Sequence, residues 1–356
     1  MITGNLKASY AADQQVFDNF WKRGFLIACL ALLVAIVLVG NDYVILIACQ
    51  MGITLLAVTG VNIVIGYTGL MSLGHAAFVA VGAYATVIFH NLLAPLVPAA
   101  LITVLAIPFA IAISALAGVI VGLPSLRVKG LYLAVATLSA NFILIFLVEL
   151  EALAPWTGGM VGINTPTPNV FGWDLDTRRE QFVLIAALAV FGVLTAQNLF
   201  RTRVGRAFIA IRDRDYSAEI LGIALYRYKL LSFAISAAYC GLAGALFAYF
   251  YARILPESFE LELSLMLVAA IIVGGMGRTM GPVFGVIVIV LVPEVIKVLF
   301  GVFSDGGAEA AQILAPVQEI AFGALIVLFL LFEPLGLTHI TDRALQALNR
   351  WPFARG

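Results

Sequence analysis

The sequence predicts an all-α, polytopic membrane protein of about ten transmembrane helices, and three observations carry that prediction. Hydrophobic residues make up 63% of the 356 residues and charged ones only 11%, with a mean hydropathy of +1.07; soluble domains carry about 25% charged residues. The apolar residues fall into runs close to the length that a helix needs to cross ~30 Å of hydrocarbon, about 20 residues at 1.5 Å each. Basic residues gather in alternate gaps between those runs, as orientation by the positive-inside rule requires. With the spans filling nearly the whole length, no soluble domain of ordinary size fits beside them.

Residues 1–23 are mixed polar and are expected to form a cytoplasmic N-terminal segment. Trp21, Lys22 and Arg23 then lead into an apolar run from Phe25 to Val39. The pattern superficially resembles a signal peptide, but no small-residue cleavage site follows and a second apolar run begins at Tyr43, so an uncleaved first span is expected. Reading on, spans are placed near 24–40, 43–65, 76–90, 95–122, 131–150, 182–200, 229–250, 263–276, 282–300 and 316–333. The stretch 76–90 can alternatively be a re-entrant piece. The membrane domain thus runs over 24–333, with a charged loop at 201–228, and 334–356 forms a cytoplasmic C-terminal tail.

Ten spans put both termini on one side. With that side cytoplasmic, sixteen of the twenty basic residues lie inside, among them Lys7, Arg127, Lys129, Arg278, Arg343, Arg350 and Arg355. Arg178, Arg179 and Arg253 fall outside, and Lys297 lies near a span end. The outer loops are instead acidic or neutral, with Asp174, Asp176, Glu257, Glu260, Glu262, Asp305 and Glu309.

The segment from Asn198 to Lys229 holds seven of the basic residues: Arg201, Arg203, Arg206, Arg212, Arg214, Arg227 and Lys229. Within it Asp215 can cap a short helix and Gly222 can end it through φ > 0, leaving a helix of roughly six residues over Tyr216 to Leu221. A helix so short needs something to dock on. Phe208 and Ile211, one turn apart, offer an apolar knob, and Arg212 to Asp215 alternate in sign, which suits a matched protein surface. Topology anchoring alone explains Arg201, Arg203 and Lys229 but not the interleaved Asp213 and Asp215, since acids add little to orientation.

Glycines describe the packing. Gly118 and Gly122, Gly281 and Gly285, and the series Ala237, Gly241, Ala245 form small-xxx-small steps that let helix backbones approach in lipid. Two other stretches are too glycine-dense for regular helix. The first, Gly66 to Ala85 (GYTGLMSLGHAAFVAVGAYA), also carries Thr68, Ser72 and His75; the second is Gly274 to Gly281 (GGMGRTMG). Paired interruptions of this kind either line a central pathway, where protein or water satisfies broken backbone, or are tight cytoplasmic turns. His75 reads as a hydrogen-bonded structural histidine rather than a proton carrier.

The residues for chemistry are sparse. Cys29, Cys49 and Cys240 sit inside apolar runs without metal-ligand spacing and read as small core residues. Glu294 and Lys297 lie one turn apart and can neutralise each other, while Glu149, Glu151 and Glu319 map to outer span ends. Midplane carboxylates, the mark of ion-coupled carriers, are not expected. None of the five lysines follows a glycine, so these residues contain no GxxxxGK[ST] phosphate loop. No His, Asp and Ser occur at catalytic spacing either.

Six stretches carry a family resemblance: residues 66–85 above, GLPSLRVKGLYLAVATL (122–138), TGGMVGI (157–163), VGRAFIAIRDRDYSAEILGI (204–223), YKLLSFAISAAYCGLAGAL (228–246) and GGMGRTMGPVFG (274–285). Together they resemble the permease subunits of ATP-binding-cassette importers for branched-chain amino acids, in their LivM-type branch. The resemblance spans about Tyr43 to Glu294. It implies a type II importer-like fold of ten spans whose charged loop is the segment that docks on a separate ATPase. By the match, Gly205, Arg206, Ala207, Arg212, Asp213 and Gly222 occupy coupling positions, joined by Phe208, Ile211 and Asp215 from the reading of the loop; Arg214 and Asp215 themselves depart from the family pattern.

A translocation path is expected beside the broken segments: Gly66, Tyr67, Thr68, Gly69, Ser72, Gly74 and His75, with Thr157, Gly158 and Gly159. A zwitterion with an aliphatic side chain tolerates such an interior better than a strongly charged ion does. The implied partners are a second permease subunit, two cytoplasmic ATPase subunits that bind the ATP, and a periplasmic binding protein. They meet at a bacterial inner membrane, with no nucleic acid and no cofactor or metal in this chain. An importer for urea or short amides, an ion-coupled carrier and a membrane-embedded enzyme are the competing classes.

Overall fold

The computed structural model describes residues 31–94, 96–128, 130–303, 308–333 and 336–340. Residues 1–23, Cys29, the start of the first span, Lys129 and nearly all of the expected tail lie outside the described residues. Helices make up the architecture. They are α1 (residues 31–39), α2 (Asp42–Val61, continued as a π-helix over Asn62–Tyr67), α3 (His75–Leu93), α4 (Ala99–Ser125), α5 (Leu131–Glu149) and α6 (Arg178–Arg201). There follow α7 (Arg203–Asp213), α8 (Asp215–Ile220), α9 (Leu225–Phe250), α10 (Leu261–Gly274), α11 (Gly281–Phe303) and α12 (Ala308–Phe332).

Seven of these are long and apolar enough to cross a membrane: α2, α3, α4, α5, α6, α9 and α11. Of the others in the span plan, α1 is described only from residue 31, α10 has 14 residues, and the apolar part of α12 runs over Pro316–Phe329. The stretch expected at 76–90 is a continuous helix of 19 residues rather than a re-entrant piece. The span expected from 182 starts instead at Arg178, because Thr177 and Glu180 form a capping box that satisfies the first turn.

The core gathers around α9, which packs against α4, α3 and α2. Small residues set that approach. A Cβ added to Gly118 would lie 2.5 Å from the Ala237 side chain, and one added to Gly82 would lie 2.5 Å from Gly241 Cα. The small-xxx-small steps are therefore packing devices: van der Waals contact between helix backbones replaces the hydrophobic drive that lipid does not supply.

Contacts between loops join segments that the span order places on one side. Strands β1 (Ile163–Asn164) and β4 (Arg253–Ile254) pair antiparallel across two loops expected outside, and Arg179 donates to the carbonyl of Gly40 nearby. Between them, β2 (Asn169–Val170) and β3 (Trp173–Asp174) form a hairpin. At the opposite end the two glycine stretches, the charged loop and Gly336 of the tail come together.

Candidate functional site

Between Arg201 and Lys229 the chain is mostly helical, more than the single short helix expected. Thr202 starts α7 by accepting the Gly205 N–H at 3.4 Å. Val204, Ala207, Phe208 and Ile211 then recur at helical spacing, and that stripe turns inward. Phe208 and Ile211 are buried, and Phe208 packs among Ile63, Tyr67, Ala196 and Phe200, with Tyr228 edge-on. The expected apolar knob for a partner is therefore corrected: these two residues fasten α7 to its own bundle, because an amphipathic helix this close to the span ends buries its apolar stripe there.

The exposed apolar residues of the loop lie on and just after α8 instead. Tyr216 is 73% exposed, Ile220 70% and Leu221 80%. The six-residue length was legible. The expected cap is corrected: the helix starts one residue earlier, at Asp215, with Arg214 in the N-cap position and no side-chain cap, while Asp215 Oδ1 accepts the Tyr216 N–H at 2.8 Å. Gly222, at φ 86°, ends it as expected and lets the Ile223 N–H reach back to the Ala218 carbonyl at 3.0 Å. The acids of the loop also differ from expectation. Asp213 pairs with Arg212 at 3.1 Å and Asp215 with Lys229 at 3.6 Å, so both find cations within the chain. The second pair ties α8 to the start of α9.

Above α7 lie both glycine stretches, in contact with each other. Arg212 Nη1 donates to the Gly66 carbonyl at 3.1 Å, while its Nε and Nη2 reach Asp213. Asn62, in the π-helical end of α2, is 1% exposed and spans to the second stretch. Its Oδ1 accepts the Gly277 N–H and its Nδ2 donates to the Arg278 carbonyl, each at 3.0 Å. A side chain at Gly66 would strike Gly277 N at 2.5 Å, so only glycine allows this approach. Tyr67 stacks on Phe200 at the end of α6, ring planes 10° apart. Of the two readings left open for these stretches, contact with the charged loop is the geometry of turns at that end of the bundle.

The remaining candidate residues divide into two groups. Thr68 Oγ1 donates to the Ile63 carbonyl at 2.9 Å, and Gly69, at φ 72°, lies against Arg212. Ser72, His75 and Ser236 form a buried chain: His75 Nδ1 lies 3.3 Å from Ser72 Oγ, its Nε2 lies 2.9 Å from Ser236 Oγ, and Ser236 donates to the Gly60 carbonyl at 2.7 Å. That satisfied geometry fits a structural histidine. Gly74 packs on Thr137 of α5.

Thr157, Gly158 and Gly159 sit elsewhere. Thr157 Oγ1 donates to the Val148 carbonyl at 2.7 Å, whereas the first group meets α5 at Thr137, whose Oγ1 accepts the Leu73 N–H at 3.0 Å. Eleven residues of helix separate those two points, about 16 Å, so the two groups are the ends of one layer and not one pocket. Gly158 and Gly159 have φ of 78° and 56° and shape the turn after Thr157.

Reasoning from sequence missed Asn62 and Ser236, and it picked out the short helix as the docking element without naming Tyr216, Ile220 and Leu221 as its exposed residues. Asn62 had a signal, a carboxamide at the end of an apolar span. Among the described residues no Asp, Glu, Lys or Arg is fully buried, and no His, Cys, Asp and Glu cluster could hold a metal. The Glu294–Lys297 pair forms at 2.8 Å, with Tyr43 also donating to Glu294. Cys49 and Cys240 are buried free thiols.

The chain matches the family described as "Branched-chain amino acid transport system / permease component" over residues 43–330. It is 30% identical to the high-affinity branched-chain amino acid transport system permease protein LivM of Escherichia coli over 92% of this chain and 77% of that protein. The same figure of 30% holds for the LivM protein of Salmonella typhimurium, over 81% and 68%. A probable branched-chain amino acid transport permease protein LivM of Methanocaldococcus jannaschii is 26% identical over 83% of this chain and 93% of that protein. No solved structure matches the chain significantly.

Proposed function

The chain belongs to the family of branched-chain amino acid transport permease components, and from that premise we propose how it works as the multi-pass permease subunit of an ATP-driven importer for those amino acids. ATP is bound and hydrolysed by separate cytoplasmic ATPase subunits, and this chain contributes no catalytic group, metal or cofactor. It pairs with a second permease subunit in a bacterial inner membrane, both termini cytoplasmic. A periplasmic binding protein delivers the cargo.

The observation that carries this reading is the junction at the charged end of the bundle. There α8 presents Tyr216, Ile220 and Leu221 outward while Lys229 and the buried face of α7 hold it to the spans. An exposed apolar face ringed by charge is a docking surface for a soluble subunit. Of the residues expected there, Gly205, Ala207, Phe208 and Ile211 fix α7 against the bundle. Arg212, Asp213, Asp215 and Gly222 shape or surround α8, whereas Arg206 donates to the Arg201 carbonyl at the end of α6. The layer from Gly66 to His75 and the turn at Thr157 to Gly159 stand at the two ends of the path.

Vesicles carrying this permease, its partner permease and the ATPases are expected to take up labelled leucine only with ATP and binding protein present. Uptake driven by an ion gradient alone would remove the class. Uptake of urea and not leucine would remove the substrate.

A further inference from the structure

We propose that Asn62 and Arg212 are positioning residues that join α7 to both glycine turns, so that movement of the docking loop shifts the cytoplasmic ends of α2, α10 and α11 together. The inference rests on the importer reading for what pushes α7, but its geometry is independent of the cargo.

Gly66 lies in the last turn of the π-helical extension of α2, where carbonyls run out of intrahelical donors and the helix end is electronegative. Arg212 meets that need with a guanidinium Nη1 at 3.1 Å, and its other nitrogens are occupied by Asp213. The cation is thus held on both sides, one on α7 and one on α2. Asn62 extends the join. Its carboxamide uses donor and acceptor at once on Arg278 and Gly277, 216 and 215 residues away. No other side chain of that size offers both functions in one plane.

A π-helical segment is uncommon and tends to occur where function fixes a side chain. Here it places Asn62 and the Gly66 carbonyl on the same junction. Gly277, at φ 70°, lies against the Arg212 guanidinium as well as Gly66, and Gly275 lies under Gly336. Four segments therefore meet through the Arg212 and Asn62 hydrogen bonds and through direct backbone contact at Gly66, Gly275, Gly277 and Gly336. Packed junctions of this kind move between discrete arrangements rather than deforming.

The test uses the assembled importer, with hydrogen exchange at residues 274–281 followed with and without ATP. In the unaltered complex, ATP is expected to change exchange at 203–222 and at 274–281. In Asn62→Ala and Arg212→Ala the change at 203–222 should persist while that at 274–281 is lost, and ATP consumed per leucine imported should rise at least tenfold. Arg212→Lys, which keeps charge but not the fork, should fall between. Arg203→Ala removes a charge from α7 outside the junction and should match the unaltered complex.

A response at 274–281 that survives in Asn62→Ala, or is missing from the unaltered complex, overturns the proposal whatever the cargo. Failure of leucine uptake alone counts against the importer reading instead. If the alanine variants do not assemble, Arg212→Lys and Asn62→Gln carry the same comparison. Normal coupling in both of these overturns the proposal too.

Discussion

The α8 face sets the sharpest expectation. Replacing Ile220 and Leu221 together by alanine removes two side chains that are 70% and 80% exposed and that a docked ATPase would cover. Full burial of such a side chain stabilises by roughly 1.5–3 kcal/mol, so three quarters of that is about 1–2 kcal/mol each. Lost together they come to about 2–4 kcal/mol, which at 1.4 kcal/mol per decade weakens ATPase binding roughly 30- to 1,000-fold. The permease itself should scarcely respond, because exposed surface substitutions stay within about 0.5 kcal/mol. The assay is titration of the purified ATPase onto the detergent-solubilised permease pair, with membrane abundance and thermal stability measured in parallel. Unchanged affinity would refute the docking assignment. Collapse of abundance would show that α8 is held by contacts within this chain and serves the fold instead.

Two further expectations concern packing and topology. Gly118→Ala should lower stability in detergent by about 1–3 kcal/mol through overpacking, since its Cβ would meet Ala237 at 2.5 Å; Gly323→Ala, with nothing within 4 Å, should not. Unaltered stability in Gly118→Ala would show that α4 and α9 do not approach as described. Single cysteines at Asp174 and Asp213, placed in a background lacking Cys29, Cys49 and Cys240, should label from opposite sides with an impermeant thiol reagent. Labelling of both from one side would refute the placing of the β2–β3 hairpin and α7 at opposite ends of the bundle.

Much of the local structure was legible because its causes are local. The apolar runs located most of the described spans to within about four residues, although α12 begins at Ala308 rather than near 316. Gly222 marked a stop that depends on one or two neighbouring backbone groups, and Asp215 marked the start of α8 to within one residue although it does not cap it. His75 read correctly as a partnered histidine, although Ser236, 161 residues away, could not be named in advance. The loop was harder. Val204, Ala207, Phe208 and Ile211 have the spacing of a buried stripe, yet in isolation an apolar stripe beside charges looks the same whether it faces its own bundle or a partner.

Class, family and the approximate positions of the described spans were legible in the residues alone, because hydropathy, charge and glycine act over a few turns and survive without a fold. What those pieces touch was settled by the packing of the helices. It turned Phe208 and Ile211 inward and left Ile220 and Leu221 outward. It set the two glycine stretches against each other and gave Asn62 partners more than 200 residues away. It also parted Thr157 from Gly74 along α5. Each of these depends on where one helix axis crosses another, and that crossing is fixed by side chains and missing side chains on both helices at once. No single stretch of the chain holds that information.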